Sequence, residues 1–263
     1  MSKRFTYYGG SAILTPSQIF GANYYDHWDF TNPSQLTLSG SAIDQCDSYT
    51  SARALTAGSS SRPTLVASQI NGYSIARFTS PQRMGVASSN NLYNFLHNSS
   101  GGAIFYILKQ SVNAGANSYF NNVADSASVG IYSASIGNAI NAQANRGVTS
   151  TFAFRNYGAV GSNPYSQFNF IVQVFDSANT TIADRGITIV NGGTPIKNNS
   201  DTLAPSSANA SFNLAFGGVS GGSINRFEGD LVEAIIINAI PTSTQITQLQ
   251  AYFENKFGTF PVI

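Results

Sequence analysis

Cysteine occurs once in this chain of 263 residues, at position 46. A lone thiol excludes an intrachain disulfide framework and a thiolate metal cluster. A core must come from apolar burial, and a chain this long can bury enough surface to fold without staples. Tryptophan also occurs once, at position 28, and histidine twice, at 27 and 97. That argues against tryptophan-rich sugar subsites and leaves each histidine a structural role. Charge is scarce as well: Asp, Glu, Lys and Arg make up 10% of the chain, with a formal net charge of +1, against about 25% charged residues in ordinary soluble domains. No basic run exceeds Lys3-Arg4, so the cation cluster that nucleic-acid binding requires is missing. No window reaches the run of about 18 apolar residues that a membrane span needs, and no apolar segment of signal-peptide length follows Lys3-Arg4. The expectation is a protein made in a cytosol without a cleavable signal. Walker loop, HExxH and EF-hand spacings are absent too.

What remains is rich in Ser, Asn, Thr and Gly and presents a neutral, hydrogen-bonding surface. Carbohydrate binders and components of large assemblies share that character. Residues 1–35 are irregular yet aromatic, with Phe5, Tyr7, Tyr8, Phe20, Tyr24, Tyr25, Trp28 and Phe30. Disordered tails are poor in aromatics, so this segment packs on its own domain or on a neighbouring subunit. From residue 36 short strands alternate with turn residues, the all-β signature. Candidate strands are 103–109, 128–132, 168–175, 186–190, 212–216 and 231–238. In 168–175 the period-2 rule puts Phe168, Phe170, Val172 and Val174 on a core face, leaving Asn169 and Gln173 for solvent or ligand. Asn191-Gly192 suits a tight hairpin turn. One helix is predicted after residue 242: Thr242 and Gln245 form a capping box. Ile246, Leu249, Tyr252, Phe253 and Phe257 make one apolar face, and Gly258 ends it.

The stretch 227-FEGDLVEAIIIN-238 raises the question of catalysis, because Glu228, Asp230 and Glu233 approach the Glu-x-Asp-x-x-Glu layout of a retaining glycosidase. Such enzymes hold two carboxyls about 5–5.5 Å apart across the scissile bond. On a regular strand Glu228 and Asp230 share one face, and Glu233 falls on the other with Leu231, Ile235 and Ile237. Only a bulge would bring all three together. The stretch is therefore expected to be a closing strand, with no catalytic residues.

Several segments resemble the concanavalin A-like lectin/glucanase family, in its laminin-G-like version, over about residues 26 to 258. They are 28-WD-29, 36-LTLSGSAIDQCD-47, 62-RPTLV-66, 70-INGYSIARF-78, 187-ITIVNGG-193 and 227-FEGDLVEAIIINAIPTSTQITQLQAYFENKFG-258. The last is the most specific: Gly-Asp before the final apolar strand, then a capped helix ending in Lys-aromatic-Gly. Cys46 stands where many relatives carry tryptophan. The resemblance implies an all-β, two-sheet antiparallel jelly-roll sandwich with one C-terminal helix. The expected domains are an N-terminal arm for attachment over 1–35 and the sandwich over 36–263. Family members include glycosidases, lectins, adhesion modules and structural appendages of bacteriophage virions. Non-catalytic relatives carry Gly-Asp-x-x-Glu here as a structural signature.

Two functions follow as expectations. One is a non-catalytic bacteriophage virion component, such as a capsid decoration, head fibre or tail appendage. It would be homo-oligomeric, on the virion surface and bound to other virion proteins through residues 1–35. The other is a carbohydrate-binding module or adhesin, and the two are compatible if the virion protein binds host-surface polysaccharide. Candidate ligand-binding residues are Tyr119, Asn121 (with Asn122 beside it), Tyr132 and Tyr157, because sugars are held by aromatic faces and oriented by amides and hydroxyls. A cofactor is not expected. A structural calcium at a loop rim is the one cation considered, with Asp125, Asp176, Asp184 and Asp201 in or near loops but forming no ligand cluster.

Overall fold

A computed structural model of the chain describes residues 12–51, 53–111, 116–136, 139–159, 167–197, 199–218 and 226–260. Residues 1–11 of the expected arm and much of the glycine-rich loop at 217–223 lie outside the described residues. The strands are β1 (Tyr24–Asp29), β2 (Leu36–Ser39), β3 (Ala42–Asp47), β4 (Ala54–Thr56), β5 (Thr64–Ile70), β6 (Tyr73–Phe78), β7 (Met84–Val86) and β8 (Gly102–Gln110). They continue with β9 (Ala116–Asn121), β10 (Val129–Ile136), β11 (Ala139–Arg146), β12 (Phe152–Ala159), β13 (Asn169–Phe175), β14 (Gly186–Val190), β15 (Ala215–Phe216) and β16 (Gly229–Ile237). Two α-helices flank them, α1 (Pro16–Phe20) and α2 (Ser243–Phe257).

The protein is thus mostly antiparallel β with a C-terminal helix, as expected. The layers differ from two separate stacked sheets. One hydrogen-bonded ladder runs β12-β11-β10-β9-β15-β7-β4-β3-β5-β6-β16-β8-β13-β14, with β1 added on β16 and β2 on β3. The very short strands β15, β7 and β4 carry the ladder around its bend, so the sheet is nearly closed and barrel-like. Its free edges, β12 and β14, are joined by the segment after β14. Thr188 and Ile196 form a β-bridge, Asn156 Nδ2 donates to the Ile196 carbonyl, and the Arg155 amide donates to Asn199 Oδ1. That covering protects edges that would otherwise offer unpaired backbone groups. Val190-Asn191-Gly192-Gly193 makes the expected tight turn, with positive φ at Asn191 and Gly192.

Two apolar clusters hold the layers. The inner one lies inside the closed sheet and contains Trp28, Phe30, Tyr106, Phe120, Phe216 and Ala234 among others. The outer one lies between α2 and the outward face of β16, β8 and β13, and joins Phe105, Phe170, Ile235, Leu249, Phe253 and Phe257. Helix α2 forms where its periodicity predicts, with both capping-box hydrogen bonds made at Thr242 and Gln245. It lies on an outer face of the sheet.

That placement corrects the reading of β13. Every residue of β13 is buried, because α2 covers Phe170 and Val172 while the other face turns into the inner core. Gln173 meets neither solvent nor ligand. It accepts a hydrogen bond from the Tyr106 hydroxyl at 2.7 Å and another from Ser133, and donates to the Asn141 carbonyl at 3.1 Å. A buried amide satisfied this fully sits in the core at little net cost. Residues 12–35, assigned by sequence to an arm, pack on their own sheet: β1 pairs with β16, and Trp28 and Phe30 are fully buried.

Candidate functional site

The acidic stretch comes first. Against β8, Leu231 lies opposite Leu108 while Glu233 lies opposite Ile107, so Val232 is an extra residue. The bulge reverses the alternation. Leu231, Ala234 and Ile236 point into the inner core, whereas Val232, Ile235 and Ile237 face α2. Glu233 joins this outward face and not the side of Leu231, which corrects the expectation from a regular strand. The change of face opens no groove, because α2 lies over it and Glu233 is 0% exposed. Asp230 is buried too and is gripped by the Arg77 guanidinium through two hydrogen bonds, at 2.7 and 3.0 Å. Glu228 is half-buried, and its amide donates to Asn117 Oδ1. β16 is also no closing edge: it lies mid-sheet, with β8 on one side and β6 and β1 on the other.

Glu233 stands directly across the β1–β16 pair from Asp29. Like charges opposite each other destabilise a sheet, and here both are desolvated. Lys256, from the last turn of α2, resolves the conflict: its Nζ donates to Asp29 Oδ2 and Glu233 Oε2, at 2.7 Å each. His27 Nε2 lies 2.6 Å from Glu233 Oε1, and its Nδ1 meets the Tyr24 hydroxyl. Thr31 donates to Asp29 Oδ1 from its amide and its hydroxyl. Burial pushes the Asp29 carboxyl up, but the Lys256 ammonium and the hydrogen bonds outweigh it and hold the carboxyl below its usual value. Burial likewise pulls the Lys256 amine down, and the two carboxylates more than reverse this. The phenols of Tyr24 and Tyr252 are driven far above their usual value, by burial first and Glu233 second. The cluster is closed, with both carboxylates held by the one Lys256 ammonium. Chemically it clamps α2 to the sheet.

An open site lies elsewhere, on the outer face of β10, β11 and β12. There a cleft of about 620 Å³ is lined by Tyr132, Asn141, Gln143, Asn145, Arg155 and Tyr157 among others. Alternation explains the arrangement. Ile140, Ala142 and Ala144 of β11 point into the core, so Asn141, Gln143 and Asn145 point out. In register across the three strands run the rows Tyr132–Gln143–Arg155 and Ala134–Asn141–Tyr157. Arg155 stacks over Phe152, its guanidinium carbon 4.7 Å from the ring centre. The carboxylate that lines the cleft, Asp125, accepts hydrogen bonds from Ala127 and Ser128, both at 2.9 Å.

Of the residues proposed from sequence, Tyr132 and Tyr157 thus line one cleft. Tyr119 does not join them: its ring lies in the inner core and its hydroxyl donates to Gln110 Oε1. Asn121 pairs across from Tyr132 but is 1% exposed, and Asn122 is wholly buried with its Oδ1 accepting from the Ile131 amide. The strand that carries Tyr132 was readable from sequence, whereas β12, which carries Tyr157, was not among the candidate strands. The amide row of β11 was not readable, because Asn and Gln at alternate positions look like any solvated strand face. Among the described residues, no three His, Cys, Asp or Glu side chains gather as a metal site. Asp184 pairs with Lys197 and Asp176 accepts from Asn179.

No family model matches this sequence, and no curated protein sequence matches it. Solved structures do resemble it. The botulinum neurotoxin serotype D binding domain aligns with a TM-score of 0.58 and 10% identity over 92% of this chain and 53% of that one. The serotype G binding domain gives 0.55 and 11% over 86% and 50%. Trypanosoma rangeli sialidase in complex with sialic acid gives 0.52 and 10% over 96% and 35%. What is shared is the fold. The chain spans about half the length of the toxin domains and about a third of the sialidase.

Proposed function

We propose that this protein binds oligosaccharides in the β10–β12 cleft and acts there as a non-catalytic adhesion or carbohydrate-binding module. The observation that carries the reading is the composition of that cleft: two tyrosines set about a row of carboxamides, on a rigid sheet. Aromatic faces stack on pyranose rings and fixed amides orient hydroxyls, which is the chemistry a neutral sugar site requires. The distribution of acids supports the non-catalytic half. Most glycosidases place two carboxyls around the scissile bond, sialidases with their tyrosine nucleophile being an exception; the described cleft lining offers Asp125 alone, and Asp230 and Glu233 are buried against cations. The fold's neighbours lend support: two are toxin binding domains, and another is a sialidase solved with sialic acid. The virion setting expected from the sequence rests on the low charge, the lone cysteine and the aromatic N-terminal segment together with the resemblance.

The test is a glycan array spanning neutral, N-acetylated and acidic oligosaccharides, followed by titration of the hits. Tyr132→Ala should weaken binding by about ten- to a hundredfold, since a buried aromatic contact is worth roughly 1.5–3 kcal/mol, and thermal melting verifies that the variant is folded. An array without hits, or hits untouched by Tyr132→Ala, would overturn the proposal.

A further inference from the structure

Phe152 lies on the face of β12 that alternation would not give it. Against β11, Phe154 pairs with Ala144 while Phe152 pairs with Asn145, so Ala153 is an extra residue. Ala153 and Phe154 both point into the inner core, and the bulge turns Phe152 outward, to the side of Arg155. On a regular strand Phe152 would share the core face of Phe154. The ring instead belongs to neither apolar cluster, and the Arg155 guanidinium carbon sits 4.7 Å from its centre. A phenylalanine turned out of the core in this way is a shelf for the cation.

Arg155 also keeps its hydrogen-bonding capacity. Arg53 and Arg77 pair with Asp26 and Asp230, and Arg146 and Arg185 donate to the carbonyls of Ala204 and Leu203. Among the described residues the guanidinium groups of Arg83 and Arg155 have neither kind of partner, and of these two Arg155 lies over a ring. Its backbone is fixed, the amide donating to Asn199 Oδ1 at 2.9 Å. Asp125 lines the same cleft but makes no ion pair with Arg155, and its Oδ1 is taken up by its own turn. An anion arriving at Arg155 therefore displaces no protein contact. A guanidinium lying over a ring keeps its N–H edges for other partners, and they form a rigid fork that fits two oxygens of one anion.

We propose that Arg155 is an anion subsite of the β10–β12 cleft, selecting acidic oligosaccharides over neutral ones by pairing with a sugar carboxylate or sulfate. The inference rests on the oligosaccharide reading above. Tyr132 and Gln143 stand in register with Arg155, so a sugar packed along that row brings its anionic substituent to the guanidinium. The tyrosine and the amide hold the neutral part of the ligand, and Arg155 reads its charge. Phe152 is a positioning residue: it holds the long side chain against the sheet and so reduces the freedom lost on pairing.

The experiment is calorimetric titration of the full chain with matched pairs, uronic-acid trimers against their methyl esters and sulfated galactosides against unsulfated ones. In at least one series the acidic member should bind about fivefold more tightly at low salt, equivalent to about 1 kcal/mol for a partly exposed ion pair. The preference should shrink between about 0.01 M and 1 M salt, as the screening length falls from about 30 Å to 3 Å. Arg155→Gln, which keeps polar donors without the charge, should bind both members of each pair equally. Arg155 is exposed, and thermal melting verifies that the variant is folded. The series that shows the preference identifies the anion. Equal binding within both series, or a preference that survives Arg155→Gln or is unmoved by salt, would overturn the anion subsite while leaving the oligosaccharide reading intact. Failure of every probe to bind would overturn both.

Discussion

Replacing Lys256 by methionine tests the clamp between α2 and the sheet. The variant keeps an unbranched apolar side chain and removes the ammonium that separates Asp29 from Glu233 and lies 4.8 Å from the Phe257 ring centre and 5.9 Å from that of Tyr73. Those carboxylates are 3% and 0% exposed and face each other in register. Breaking a buried ion pair from one side costs about 3–5 kcal/mol. The Lys256 side chain keeps 16% exposure, which argues for the lower end, about 3 kcal/mol. For a chain of this size that lowers the melting temperature by roughly 6–12 °C. The pH dependence has a definite sign. Asp29 is held below its usual value, so its contribution is present above the unfolded carboxylate value of about 3.9 and fades as pH falls through the lower folded value. Lys256 is held above its usual value, so its contribution is full below about 10.4 and is lost as pH rises through the folded value. The gap between wild type and variant should therefore be widest from about pH 5 to 9 and shrink below about pH 4. Adding Glu233→Gln to the variant should recover part of the loss, because one of the two opposed charges is gone. Thermal unfolding at pH 7 and in acid reads all of this. A drop under 2 °C at pH 7, or an equal drop in acid, would refute the reasoning.

Two further outcomes bear on the fold. At Gly229 φ is +154°, and a Cβ would lie 2.2 Å from the Lys109 carbonyl oxygen of β8, so Gly229→Ala should cost on the order of 3 kcal/mol. Gly58→Ala, where no atom lies within 4 Å, should melt within a degree or two of the parent, and matching melts for the two variants would contradict the β8–β16 packing. Cys46 is fully buried and its thiol is pushed up, chiefly by burial, so a disulfide reagent at pH 8 should label it only after denaturant is added. Rapid labelling of the native protein would contradict the inner core.

How much of this was readable beforehand depends on which interactions decide each element. α2 was legible to its caps because a helix's periodicity, capping box and terminal glycine are all local. β8, β14 and most of β16 were legible as apolar runs. The Val232 bulge was not, since it appears only in the register against β8, and it alone decides which way Glu233 points. β13 misled for a similar reason: alternation of Phe and Val with Asn and Gln signals one wet face, unless a helix from elsewhere in the chain covers the apolar side and the polar side turns inward. Tyr132 and Tyr157 could be proposed from sequence as exposed aromatics on or beside strands, but Tyr119 carries the same local signal and faces the core. The two differ only in the parity of β9 and its bulge against β10. Strand parity is a tertiary property, and short strands leave it open.

The acidic motif has a structural origin. Of the twelve acidic residues, Asp26, Asp29, Asp230 and Glu233 are buried, and each is paired with a cation: Arg53, Lys256, Arg77 and Lys256 respectively. Unlike apolar contacts, these pairs tolerate no sliding, because a displaced partner leaves an uncompensated charge in a dry interior. They fix β1 against β16 and α2 against both, which is where a chain without disulfides most needs its register specified. Gly229 and Asp230 fit the same account, the glycine letting β16 approach β8 closely and the aspartate locking β6 alongside. A Gly-Asp-x-x-Glu signature can therefore be demanded by folding alone. Charge is scarce over the whole chain, and the cleft is built mainly from tyrosine and carboxamide, with Arg155 and Asp125 as its charged lining residues.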